Sequence, residues 1–368
     1  MFGGSVYDDI KISKMDEFDI NIVIRLPISY EEGEDGIIIE NDQPGFVRLR
    51  IVNGFDHLDK QQEWEKCHKV TRDWRDGSKY FLQSRFRHWM HRIVQKALNE
   101  MNGRVTVNGV DYILNYRESG PAYTLNVSSG AADEDFKLDV DIVPVIRFMH
   151  PRWPKSYRTI EDSQAKEWYA VPKPIKGIAD EKAKSRCWRL SFQVYEREKL
   201  KKNHNLKMTL RLIKKLRDAL NMKCIVSYYI KTLFLWKVEN VKSKDFWQNN
   251  LTVLFHAMLE DLYEAVKNKS IPNFWNKKNN LIESMKPGTQ TVYAARLKVV
   301  LDSIQTNNIE KIVQALLTKE EIKQFKCSEF YLKRLPLTNF PSLSHEIQRS
   351  VLVASLSSEE YVGRMISN

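Results

Sequence analysis

Cysteine is scarce in this chain: Cys67, Cys187, Cys224 and Cys327 are the only four, and they stand far apart. That spacing excludes a disulfide framework and a zinc ribbon and is the usage of a reducing compartment. Long apolar runs are missing, so no span of a bilayer is predicted. The first residues lack the pattern of a secretion signal, and a cytoplasmic location is expected. No stretch reads G-x-x-x-x-G-K-[ST], which argues against P-loop ATPases and kinases. Internal repeats and low-complexity tracts are absent. Acidic residues are outnumbered, 47 against 58 Lys and Arg, leaving a formal charge of +11. An acidic partner follows, with nucleic acid or an anionic membrane surface as the usual candidates.

What the chain does have is concentrated early. Gly3-Gly4-Ser5 opens it as a turn, and Glu17-Phe18-Asp19-Ile20-Asn21-Ile22-Val23-Ile24 follows with polar and apolar residues alternating. Side chains of a strand alternate faces, so Glu17, Asp19 and Asn21 share one side and Phe18, Ile20 and Ile22 the other. Two carboxylates on one strand face repel. Hard oxygen donors at this spacing suit magnesium or manganese, although a solvated strand face carries the same pattern. A third carboxylate separates the two readings. Phe136 to Ile146 is a β-branched run in which Asp139 and Asp141 again share a face, and two-metal sites draw carboxylates from neighbouring strands. Backbone N–H groups and a hydroxyl at Gly4-Ser5 would face phosphate, as turn nests do. Phosphate turn and metal carboxylates together are the equipment of nucleotidyl transfer.

The rest of the chain divides by periodicity. Strands are predicted at 45–52, 105–115, 123–127 and 136–146, with a helix over 80–101 and a turn at 119–122. Trp89, His88 and His91 on that helix read as packing and surface residues. Pro151 to Pro154 and Trp168 to Pro174 are rich in proline and tryptophan and mark the seam between lobes. Beyond it, 190–200, 206–220, 226–236, 250–267 and 293–302 carry helical periodicity, and 335–341 reads as a proline-interrupted loop. The expectation is an α+β fold of two lobes: residues 1–172 with a mixed β-sheet and the candidate ligands, and a helical lobe over 173–368.

These residues resemble a known family. Gly4-Ser5, Glu17-Phe18-Asp19, Val140-Asp141-Ile142, Trp188-Arg189-Leu190-Ser191-Phe192 and Ser227-Tyr228-Tyr229-Ile230-Lys231-Thr232 fall in the order and spacing of the Mab-21 nucleotidyltransferases. Among these the chain looks most like cyclic GMP-AMP synthase and the animal cGAS-like receptors. The resemblance implies a bilobal nucleotidyltransferase fold with the active site in the cleft. It implies ATP and GTP as substrates and a cyclic dinucleotide of the cyclic GMP-AMP type as product. Glu17, Asp19 and Asp141 would be catalytic and hold Mg2+ or Mn2+. Gly4, Ser5, Arg189, Ser191, Glu196, Lys214, Ser227 and Tyr228 would contact the nucleotides: Arg189 a purine edge or phosphate, Ser191 and Glu196 the purine, Lys214 a phosphate, Ser227 a phosphate or ribose, and Tyr228 by stacking.

Two departures qualify the resemblance. The zinc thumb of cyclic GMP-AMP synthase is missing, because over Tyr195 to Met208 only His204 is a zinc-ligand type and one histidine makes no structural site. No structural zinc is therefore expected. The thumb helps grip double-stranded DNA, and insect-type cGAS-like receptors lack it. The family's amino-terminal spine helix is also not seen before Gly3. Between Lys199 and Arg217 lies a run without an acidic residue. Lys199, Lys201, Lys202, Lys207, Arg211 and Lys215 from it are the candidate nucleic-acid contacts, suited to phosphates irrespective of sequence. The expected activator is double-stranded RNA rather than double-stranded DNA, with oligomerisation on the nucleic acid as a further expectation and innate antiviral signalling as the role. The rivals are a catalytically silent Mab-21 scaffold and another nucleotidyltransferase, such as a polymerase or an oligoadenylate-type synthase. The Arg189 and Tyr228 motifs argue against the latter.

Overall fold

The computed structural model describes residues 2–12, 16–119, 122–129, 136–160, 166–201, 203–241 and 243–327, apart from the side chains of Ser5, Glu118, Ser119, Ala122, Lys244 and Ile309. The strands are β1 (Phe2–Gly3), β2 (Glu17–Val23), β3 (Ile38–Asn41), β4 (Phe46–Arg50), β5 (Arg104–Val107), β6 (Val110–Ser119), β7 (Ala122–Ser129), β8 (Lys137–Met149), β9 (Glu167–Val171) and β10 (Cys187–Ser191). The helices are α1 (Gly4–Tyr7), α2 (Glu65–Asp73), α3 (Gln83–Glu100), α4 (Glu181–Arg186), α5 (Gln193–Lys201), α6 (His204–Ala219), α7 (Ser227–Asn240), α8 (Leu251–Lys267), α9 (Pro287–Gln305), α10 (Ile309–Leu316) and α11 (Lys319–Cys327). By its contacts the chain forms two compact units. The first holds Met1–Asp8 and Met15–Glu198, the second Asp9–Lys14 and Lys199–Asn368. No described helix is long and apolar enough to cross a membrane.

The first unit is built on one sheet in the order β3-β4-β10-β9-β8-β7-β6-β5, with β2 added on β8 and β1 on β2. All of these pairings are antiparallel except β2 on β8. Strand β8 is shared. Its first half lies between β2 and β7, and its last residues, Ile146 to Met149, pair with β9. Pro144 sits where β8 has left β7 and not yet met β9, a place that makes no demand on a missing N–H. Residues 105–115 form two strands rather than one, because Asn108 and Gly109 both adopt positive φ, 51° and 80°, and turn the chain between Val107 and Val110. An Asn-Gly pair in this conformation matches the twist of a hairpin.

The proposed seam is not a seam at Trp168. Residues Glu167–Val171 are an internal strand of the sheet, with Trp168 and Tyr169 buried. The division between units falls at Glu198, not at 172, because β10 pairs with both β9 and β4 and so belongs to the sheet. Helix 190–200 accordingly begins only at Gln193. Under β10 lies an aromatic core. Trp188 is fully buried, 4.7 Å from Phe81 and 5.6 Å from Phe86 between ring centres, and its indole N–H donates to the Phe81 carbonyl at 2.8 Å.

Every regular element among the second unit's described residues is a helix, apart from an isolated bridge between Pro272 and Asn280. Asn203, Asn250 and Asn308 cap α6, α8 and α10 by accepting a backbone N–H from the first turn. Left-handed Asn221, Lys269 and Asn307 end α6, α8 and α9. Leu210, Leu212 and Leu216 of α6, Leu254, Met258 and Leu262 of α8, and Leu297 and Val300 of α9 are its core. The loop expected at 335–341 lies outside the described residues.

Two predictions follow from the first unit's interior. Trp188→Ala removes the largest side chain under β10 and leaves the Phe81 carbonyl without its donor. It should cost about 3–5 kcal/mol in a urea melt. Cys187 is buried, and its thiol donates to Asp42. Burial first, then that carboxylate, push its pKa up to about 12. The folded thiol keeps its proton after an unfolded one has lost it, so stability falls as pH rises from the ordinary thiol range toward the folded value. At about pH 8, iodoacetamide should label exposed Cys224 in the native protein and spare Cys187 until urea is added, as read by mass spectrometry.

Candidate active site

Strand register assembles the acidic residues. In the parallel pairing of β2 with β8, Glu17 is opposite Asp139 and Asp19 is opposite Asp141. On the far side of β8, Asp141 is opposite Thr124 and Asp139 opposite Asn126 of β7. On the near side of β2, Asp19 is opposite Gly3 of β1. Two polar rows therefore cross the sheet: Gly3, Asp19, Asp141, Thr124 in one, and Glu17, Asp139, Asn126 in the other. The alternation seen in sequence puts Phe18 and Ile20, Val140 and Ile142 on the opposite face.

The two rows are differently engaged. Asp139 accepts from Asn126 at 2.5 Å and pairs with Arg117 at 2.9 Å. Asp141 accepts the hydroxyl of buried Thr124 at 2.5 Å through Oδ1. Asp139 thus already faces a cation of the chain. Asp19 meets the Gly4 backbone. A Cβ built at Gly4 would stand 1.6 Å from Asp19 Oδ2, and Gly4 has φ of +74°. Only glycine fits there, on both counts. Gly4 thus lies directly over one carboxylate of the cluster, as a phosphate turn beside a metal site requires. The side chain of Ser5 lies outside the described residues.

A divalent cation is implied by this chemistry, and the donors suit one. They are hard carboxylate oxygens on adjacent strands, cradled by a glycine that leaves no room for a side chain. The carboxylates are not already drawn together: among the described residues no three His, Cys, Asp or Glu side chains form a ligand group. Register supplies the set, while Thr124 fixes one oxygen of Asp141.

Arg189 and Ser191 alternate on β10 opposite Val171 and Tyr169, and Glu196 is buried one turn into α5. Lys173 was not foreseen as a site residue. Burial lowers its pKa first, and Arg189 and Lys176 lower it further. Neighbouring cations disfavour one another's charge and favour an anion. The signal was present in Pro172-Lys173-Pro174, which was read only as a boundary.

The remaining expected contacts belong to the second unit. Lys214 is 4% exposed and its ammonium donates to the Ile10 carbonyl. Ser227 is exposed at the start of α7 and accepts from Arg217 at 3.2 Å. Tyr228 follows it, half-buried. The basic run is extensively paired. Lys207 and Arg211 both grip Asp9, Lys215 pairs with Glu321 at 2.5 Å, and Lys199 with Glu239 at 3.5 Å. Lys201 is exposed, His204 is exposed at the start of α6, and Lys202 lies outside the described residues. The predicted open basic face is thus largely a set of internal ion pairs.

Residues 6–202 match the Mab-21 protein nucleotidyltransferase domain, and residues 205–299 match the Mab-21 protein HhH/H2TH-like domain. Among similar proteins is a cyclic GMP-AMP synthase-like receptor of Aethina tumida, 33% identical over 88% of this chain and 80% of that protein. Receptors of the same name from Ctenocephalides felis and Tribolium castaneum are 33% and 32% identical, each over 88% of this chain and over 77% and 80% of their own lengths.

Thr124 should matter through Asp141. Thr124→Val keeps the shape and removes the hydroxyl, and an orienting partner of this kind typically contributes about 10–100-fold in metal affinity or turnover. Thr124→Ser should restore most of it. Mn2+ titration followed by electron paramagnetic resonance measures this without turnover. Equal Mn2+ affinity in the wild type and the valine variant would exclude the role.

Proposed function

Because the chain belongs to the Mab-21 family and is a nucleotidyltransferase carrying both of that family's domains, we propose that it is a cyclic dinucleotide synthase activated by nucleic acid. Its substrates are ATP and GTP, its product is of the cyclic GMP-AMP type, and its activator is double-stranded RNA. The observation that carries this reading is the placement of Asp19 opposite Asp141, with Glu17 two residues along β2 and Gly4 lying on Asp19.

Glu17, Asp19 and Asp141 would hold Mg2+ or Mn2+. Bound there, the ion neutralises triphosphate charge and acidifies the attacking ribose hydroxyl. The chain's own part is positioning. Gly4 lets the backbone of the turn approach a phosphate with no side chain intervening. Thr124 fixes one oxygen of Asp141, and the other would accept the proton of the hydroxyl. Arg189 and Lys173 supply cationic donors for phosphate or purine. Repetition of the same transfer on the linear dinucleotide closes the ring.

The activator is argued from charge and from a missing element. A formal charge of +11 favours a polyanion, and the stretch from Tyr195 to Met208 has no cysteine with which to build a DNA-gripping zinc thumb. An A-form duplex would be met by shape and by its 2′-hydroxyls.

Purified protein incubated with radiolabelled ATP, GTP and magnesium should yield a cyclic dinucleotide with a double-stranded RNA and none without it. Asp19→Asn and Asp141→Asn should reduce product to background while nucleic-acid binding is retained. Product with double-stranded DNA alone would overturn the RNA assignment, and retained synthesis in either variant would overturn the catalytic one.

A further inference from the structure

The Gly3–Tyr7 segment must be held still for Gly4 to rest on Asp19, yet little in the segment itself can hold it. Strand β1 has two residues and α1 has four. A single helical turn fixes several dihedrals for one hydrogen bond and does not persist unaided. Phe2 and Tyr7 stack on each other with ring centres 5.8 Å apart, but both are 54% exposed, so burial contributes little.

Arg197 of α5 meets this segment in three places. Its Nε donates to Asp8 Oδ1 at 2.7 Å, its Nη2 donates to the Phe2 carbonyl at 3.2 Å, and its guanidinium lies 4.3 Å from the centre of the Tyr7 ring. The contacts reach the residue before Gly3 and the two residues that end the turn, so one side chain spans the arc. Both members of the ion pair are largely shielded, at 16% and 10% side-chain exposure. A planar fork that donates along two edges and stacks by its face makes such a clamp, and a lysine does not.

We propose that Arg197 is the positioning residue of the Gly3–Tyr7 turn: it seats Gly4 on Asp19 and thereby sets affinity for the nucleotide triphosphate. The second half rests on the reading of this turn as a phosphate site. Arg197 touches no reacting atom. Its neighbour Glu196 is the residue of α5 expected at the purine, so one helix carries a base contact and the clamp of the phosphate turn.

The test compares Arg197→Met, Arg197→Lys and Asp8→Asn with wild type. Hydrogen exchange of peptides covering residues 2–8 is measured alongside calorimetric titration with a non-hydrolysable ATP analogue and magnesium. In Arg197→Met, exchange at 2–8 should rise while β8 and α8 keep their protection, and analogue affinity should fall about tenfold. Arg197→Lys should fall between, and Asp8→Asn should add little in the Arg197→Met background, since both act through one contact. Unchanged exchange at 2–8 in Arg197→Met overturns the inference and leaves the nucleotide reading standing. Raised exchange with unchanged analogue affinity overturns both.

Discussion

Like charges set directly across a β-ladder repel, and the pairing of β2 on β8 places two such pairs side by side. The first unit is arranged around that conflict. On the opposite face, β-branched and aromatic side chains of both strands favour the same register, and shifting it by one residue would expose them. Across β8, Thr124, Asn126 and Arg117 answer Asp141 and Asp139 with hydrogen bonds and charge. Asp19 is met from the turn by Gly4, where no side chain would fit. The sheet thus concentrates negative charge where a polyphosphate and its counter-ion would relieve it. A site built for chemistry is locally at odds with stability.

Much of this was legible in the residues because strand alternation is a local property. Glu17 and Asp19, and likewise Asp139 and Asp141, share a face by sequence spacing alone. What spacing could not show is how Asp139 is engaged. Arg117 and Asn126 lie 22 and 13 residues from Asp139, and their partnership exists only once β6, β7 and β8 are in register. Trp168 misled for the opposite reason. Flanking prolines are a strong local signal for irregular chain, but this short strand is fixed by neighbours on both sides and by burial of its aromatic rings. The Asn108-Gly109 turn is an ordinary hairpin signal set inside a longer run of strand-forming residues.

The basic run misled because ion pairing is non-local. Lys207 and Arg211 look unopposed when no acidic residue stands near them in sequence, yet Asp9 is 198 and 202 residues away and sits between them. Glu321 reaches Lys215 from 106 residues further along the chain. Composition had counted these cations as surface for a partner. Geometry counts most of them as ties that hold Asp9 and α11 to α6.

The Asp9 pairing has a thermodynamic corollary for any polyanion that meets α6. A free lysine gathers no counterion of its own on a duplex and simply displaces one from the phosphate it neutralises. A lysine held by a carboxylate must first exchange partners, and the released carboxylate then recruits a cation from solution. The two ion movements oppose each other, so the dependence of binding on salt concentration would be shallower than the number of basic side chains suggests. On such a helix, a modest salt slope would report competition between two anions for one cation, and not the absence of electrostatic binding.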